Sequence, residues 1–196
     1  MKKLLIFFFC AFILNYAQDA KSIIKNIQTK FGTIQDLTAN VSQNSSKSIF
    51  YYQKENKYRI ESAGSTIVSD GQRIWNHNKK TNKVVISMPH DQEMAYTINN
   101  LVYSFPEQSK IKYEGKEKIG SENCDVVTMI PSGSNRSFDK IKIWSDRSHL
   151  IRRANITDAS GVNLVFEFSN IKINTGIPDS RFSFEPPKGS EIIDLR

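Results

Sequence analysis

From position 37 onward the chain alternates apolar and polar residues with a period of two, the pattern of strands with one face turned to a core. LTANVSQ (37–43), SIFYYQK (48–54), KYRIESA (57–63), STIVSD (65–70), RIWNHN (73–78) and KVVIS (83–87) follow one another through short polar links. That succession predicts an antiparallel meander. Asp70-Gly71 accepts the positive φ angles of a tight hairpin turn, and Lys79–Asn82 supplies a second polar turn. After Lys110 a second strand block follows: IKYEGKEKIG, CDVVTMIP, KIKIWSD, LIRRANITD and LVFEFSNIKIN. Two stretches break the alternation. In DAKSIIKNIQTKFG (19–32), Ile23, Ile24, Ile27 and Phe31 fall on one helical face, with Asp19 as cap and Gly32 at the end. HDQEMAYTINNLVYSFP (90–106) predicts a second helix, ended by Pro106, with Met94, Ile98, Leu101, Val102 and Phe105 as its apolar stripe.

Ten or eleven strands with two helices make a mainly-β, α+β chain. A sheet of that size must close on itself or be covered on one face. The two amphipathic helices are available as the cover.

The first residues change the picture of where the chain works. MKKLLIFFFCAFILNYAQDA has a basic start (Lys2, Lys3) and an apolar run from Leu4 to Leu14, the length of a signal-peptide core and short for a bilayer span. Ala17 is the small residue before a predicted cut ahead of Gln18. Residues 1–17 therefore read as a signal peptide and 18–196 as a single domain, exported, soluble and unlipidated. Cys10 leaves with the leader, which isolates Cys124 and rules out an internal disulfide; a chain of this size builds a core without one. In its strand context Cys124 reads as a small apolar packer. The formal charge of +7 falls by two with Lys2 and Lys3. The remaining lysines are scattered through turns, without the run of like charges that marks a nucleic-acid tail.

Candidate chemistry is sparse. His77, His90 and His149 lack metal-ligand spacing, so no metal or cofactor is expected. Ser148-His149 has no nucleophile elbow around it, and Asp70 is explained by its turn. No catalytic set is present, and the chain does not read as an enzyme. What the sequence offers is apolar side chains on strands, either an ordinary core or the lining of a cavity for a hydrophobic guest.

Four motifs resemble the LolA-like outer-membrane lipoprotein carrier family: LTANVSQ (37–43), IVSDGQRIWNHN (67–78), the KVVIS strand after it, and FSFEPPKGSEIID (182–194). Their order and spacing, with the leader and first helix, span the mature chain; residues 94–175 look more like the wider group of lipoprotein-sorting relatives. The resemblance implies a curved antiparallel sheet forming an incomplete β-barrel lidded by helices. It implies a periplasmic carrier that takes acylated lipoproteins from an inner-membrane ABC transporter to an outer-membrane acceptor; a monomer is expected, because a shuttle must expose its mouth to successive partners. By the same resemblance Phe50, Tyr52, Tyr58, Ile60, Val68 and Trp75 line the hydrophobic cavity, and Met94, Ile98, Leu101 and Val102 are the lid's apolar face. Lys54 aligns with the family's usual arginine that latches the lid, keeping the charge without the bidentate fork. A carrier or sensor of another amphiphile, such as a glycolipid or pigment precursor, is the alternative on this fold. A hydrolase of acylated substrates lacks a nucleophile–base pair.

Overall fold

The computed structural model of the protein describes residues 20–44, 46–89, 99–133 and 138–196. The predicted leader, Met94 and Ile98 lie outside the described residues. Helix α1 spans residues 20–32. The strands are β1 (Asp36–Gln43), β2 (Ser46–Gln53), β3 (Lys57–Ser62), β4 (Ser65–Asp70), β5 (Ile74–Asn78), β6 (Lys83–Ser87), β7 (Ser109–Ile119), β8 (Glu122–Pro131), β9 (Phe138–Ser145), β10 (Ile151–Asp158), β11 (Asn163–Ile173) and β12 (Glu191–Asp194). They join one sheet in the order β12-β6-β5-β4-β3-β2-β1-β11-β10-β9-β8-β7. Among the described residues the order is open, with β12 and β7 as its edges. The chain packs as two compact units, Met1–Thr33 with Ala95–Phe166, and Ile34–Met94 with Glu167–Arg196.

In the first unit, strand pairing brings Tyr113, Val127, Ile143 and Ala154 onto one face, with Ile111, Met129, Ile141 and Ile156 in the next row. Val127, Met129, Ile141, Ile143, Ala154 and Ile156 are buried, as the alternation of β8, β9 and β10 requires. Helix α1 buries Ala20, Ile24, Ile27 and Phe31. Ser22 and Ile23 of α1 flank a cavity of about 250 Å³ with Tyr113 and Asp125, so α1 lies on the face that carries Tyr113. The predicted second helix is described only at its end, a π-helical turn (Asn100–Ser104) running into α2 (Phe105–Glu107). Pro106 does not end it. The helix ends one residue later, at Glu107; the π-turn links the Phe105 N–H to the Asn100 carbonyl, and the Val102 carbonyl four residues before the proline takes a donor from outside the helix. Leu101 and Val102 are buried there, and the Gln28 amide donates to the Val102 carbonyl (3.1 Å).

The second unit is the meander. Glu55 and Asn56 both take positive φ (68° and 58°) in the three-residue turn, Lys54 to Asn56, that joins β2 to β3. At the β4–β5 hairpin tip Gly71 sits at φ 91°, where a Cβ would come within 2.6 Å of the Glu55 carbonyl oxygen, so only glycine fits. The Asp70 carboxylate accepts from the Gln72 and Arg73 N–H groups (2.8 Å each), which fixes that turn. Buried Asp36 ties the start of β1 to the chain beyond β11. It accepts from the Thr175 N–H (2.8 Å), the Thr175 hydroxyl (3.0 Å) and the Gly176 N–H (2.9 Å). Burial works to raise its pKa, but these donors outweigh it and hold the carboxyl below its usual value. β12 departs from the antiparallel expectation: it pairs with β6 in parallel, because the closing segment returns to the β6 edge from the opposite end.

Candidate functional site

Residues directly opposite each other in antiparallel strands present their side chains to the same side, so the register of β1–β6 sorts the predicted lining residues. Leu37 pairs with Tyr52 and Tyr52 with Tyr58; Ala39 pairs with Phe50, Phe50 with Ile60, and Ile60 with Ile67. On this Phe50 face, Tyr58 continues to Ser69, Ile74 and Ser87, and Ile67 continues to Asn76 and Val85. Val68 and Trp75 are elsewhere. Val68 pairs with Arg59 and Trp75, and Arg59 with Tyr51, all on the opposite face.

The register therefore divides the six-residue lining predicted from sequence between the two faces, with Val68 and Trp75 apart from the other four. Trp75 is 8% exposed and Val68 0%, clustered with Val84, Ile86 and Phe184. The closing segment covers this Trp75 face. The Phe184 ring lies 6.4 Å from Trp75 and 5.9 Å from His77, and the Arg181 guanidinium stands 4.8 Å over the Tyr51 ring. Arg59 donates to the carbonyls of Arg181 (3.4 Å) and Ser183 (3.3 Å), and Lys57 pairs with Asp179 (3.2 Å). The family-like Phe-Glu-Pro-Pro segment is thus a strap over one side of the sheet.

The Phe50 face has a different character. Leu37, Ala39 and Ile74 are buried, while Phe50, Tyr52, Tyr58, Ile60, Ile67 and Val85 keep partial exposure. Four of these, Phe50, Tyr52, Tyr58 and Ile60, are among the residues predicted from sequence, and Leu37, Ala39, Ile67, Ile74 and Val85 share the face with them. Ile67 was findable, since the strand link at Ala63-Gly64 places it opposite Ile60. Two polar atoms sit within this apolar surface without a hydrogen-bond partner among the described residues, the Tyr58 and Ser87 hydroxyls. Burial pushes the Tyr58 phenol up to about 12. An unmet buried hydroxyl costs a fold about 1–3 kcal/mol.

Lys54 lies one residue beyond β2, exposed in the turn, and its backbone N–H donates to the Gln35 carbonyl (3.0 Å). No side-chain ion pair or hydrogen bond of Lys54 occurs among the described residues, and Met94 and Ile98, which the latch would hold, are not among them. Leu101 and Val102 belong to the first unit. Among the described residues no group of His, Cys, Asp and Glu is arranged to hold a metal ion, and no helix is long and apolar enough to cross a membrane. Cys124 is buried, and burial, with Asp146 nearby, raises its thiol pKa. His77 contacts Asn82 (3.1 Å) beneath Phe184. On the other side of the first unit's sheet, Glu117 accepts from the Trp144 indole N–H (2.8 Å) and from Lys142 (2.9 Å), and these bonds lower its pKa. These are structural pairings, and they bring together no nucleophile and base.

Comparison with known proteins agrees with the sheet. An uncharacterized protein of Methanocaldococcus jannaschii is 25% identical over 191 residues, which cover 89% of this chain and 54% of that protein. The chain thus spans about half the length of that relative. An outer-membrane lipoprotein carrier protein of Methylibium petroleiphilum is 26% identical over 152 residues, 76% of this chain and 73% of the carrier. Among solved structures, an uncharacterized conserved protein from Thermus thermophilus superposes with a TM-score of 0.61 at 14% identity, covering 90% of this chain and 99% of that one. The family model described as the outer membrane lipoprotein carrier protein LolA matches residues 23–185. With that match running from α1 to the strap over the Trp75 face, the chain belongs to the LolA family of outer membrane lipoprotein carrier proteins.

Proposed function

We propose that this protein is a periplasmic carrier that shields the acyl chains of lipoproteins on its way from the inner to the outer membrane. It would load from an inner-membrane ABC transporter and unload to an outer-membrane acceptor. The observation that carries the reading is the Phe50 face: a broad apolar sheet surface with half-exposed aromatics, in a chain of a carrier family. The physical need is large. Each methylene left in water costs about 0.8 kcal/mol, so one ~16-carbon chain costs on the order of 12 kcal/mol. Such a guest needs area, not an exact set of side chains.

Spheroplasts holding radiolabelled, newly made lipoproteins test this. Purified protein from Gln18 onward is expected to release label into the medium as a soluble complex with itself. No release, beside a working carrier run in parallel, would contradict lipoprotein transport and direct the search to another amphiphile.

A further inference from the structure

One row of the Phe50 face mixes hydroxyl-bearing and apolar side chains. Strand register carries Tyr52, Tyr58, Ser69, Ile74 and Ser87 straight across β2 to β6. Ser69 is satisfied within the fold: it donates to the Asn56 carbonyl (3.1 Å) and accepts from the Gly71 N–H (3.2 Å). The Tyr58 and Ser87 hydroxyls, on either side of it, are shielded from solvent and have no partner among the described residues. Ser87 is only 1% exposed. Folds seldom keep such groups unless something meets them, and phenylalanine or alanine would have filled the same space without a stranded hydroxyl.

We propose that Tyr58 and Ser87 are hydrogen-bond donors to the ester or amide carbonyls at the head of a multiply acylated ligand, which deepens and rests on the carrier reading above. The surrounding apolar side chains take the hydrocarbon, and the two hydroxyls take the oxygens where chain joins head. The Tyr58 phenol, with its pKa raised to about 12, stays protonated across the working range and so remains a donor. Three strand spacings, roughly 14 Å, separate the Tyr58 and Ser87 backbones. On strands that far apart each hydroxyl addresses its own carbonyl, as on a head that bears two or more acyl chains.

Displacement of a bound fluorescent alkyl probe by dipalmitoylglycerol and by hexadecane tests the assignment. Tyr58→Phe and Ser87→Ala are each expected to weaken dipalmitoylglycerol roughly fivefold to tenfold, the worth of one hydrogen bond, and to leave hexadecane unchanged. Thermal melting of both variants confirms that they fold. Wild-type affinity of both variants for dipalmitoylglycerol would overturn the donor assignment and leave the carrier reading intact. An equal loss for both competitors would also overturn it, since packing rather than hydrogen bonding would then be the role. Failure of the wild-type protein to bind either compound would overturn the carrier reading itself, and this inference with it.

Discussion

Phe50→Glu and Ile60→Glu are each expected to lower affinity for a palmitoyl-bearing fluorescent probe by about thirtyfold, with little change in melting temperature. Phe50 and Ile60 stand opposite each other on β2 and β3, and both are half-buried, so a carboxylate at either site reaches water in the unloaded protein. In the loaded protein that carboxylate displaces two or three methylenes from apolar contact. At about 0.8 kcal/mol each, the loss is about 2 kcal/mol, or roughly thirtyfold. The control lies one residue away. Ile49 is 38% exposed on the Trp75 face, across from Glu61, and Ile49→Lys should bind the probe as wild type does. Unchanged affinity in Phe50→Glu and Ile60→Glu would remove the Phe50 face from the account.

Trp75→Ala, by contrast, is expected to act on stability and not on binding. Its ring fills the space between Val68, Val84 and Phe184, and its loss leaves a cavity beneath the closing segment. Truncating a buried aromatic of this size costs about 3–5 kcal/mol, read as a lower urea midpoint at unchanged slope. Trp75→Phe keeps most of the packing and remains folded. Its probe affinity should match wild type, because Trp75 lies on the face opposite Phe50. Probe binding lost in a well-folded Trp75→Phe variant would place the tryptophan in the site after all.

That contrast also marks where sequence reading stopped. The strands, the Gly71 turn and α1 were legible, because alternation, a required positive φ and a helical apolar stripe are local signals. The face assignment was not local. Across the β2–β3 turn even-numbered residues meet even-numbered ones, as Phe50 meets Ile60; across the β3–β4 link even meets odd, as Ile60 meets Ile67. The parity change sends Val68 and Trp75 to the other side, although each strand by itself alternates correctly. Parallel pairing of β12 was hidden for a similar reason, since a four-residue strand carries no mark of its partner's direction. Pro106 stands one residue short of the helix end at Glu107, and the Val102 carbonyl that its missing N–H leaves without a helical donor accepts from the Gln28 amide. The stranded Tyr58 and Ser87 hydroxyls have no sequence signature at all; they appear only when the row is assembled.

The central claim is that acyl chains lie on one face of β1–β6 and not on the other. Photocrosslinking decides it: a benzophenone amino acid is placed at Ile60, at Ile67 or at Ile49, and each protein is loaded with radiolabelled lipoprotein and irradiated. Label is expected to join the chain at Ile60 and Ile67, which share the Phe50 face, and to be absent at Ile49. Label at Ile49 as strong as at Ile60, or none at Ile60 and Ile67 in a loaded protein, would contradict the account.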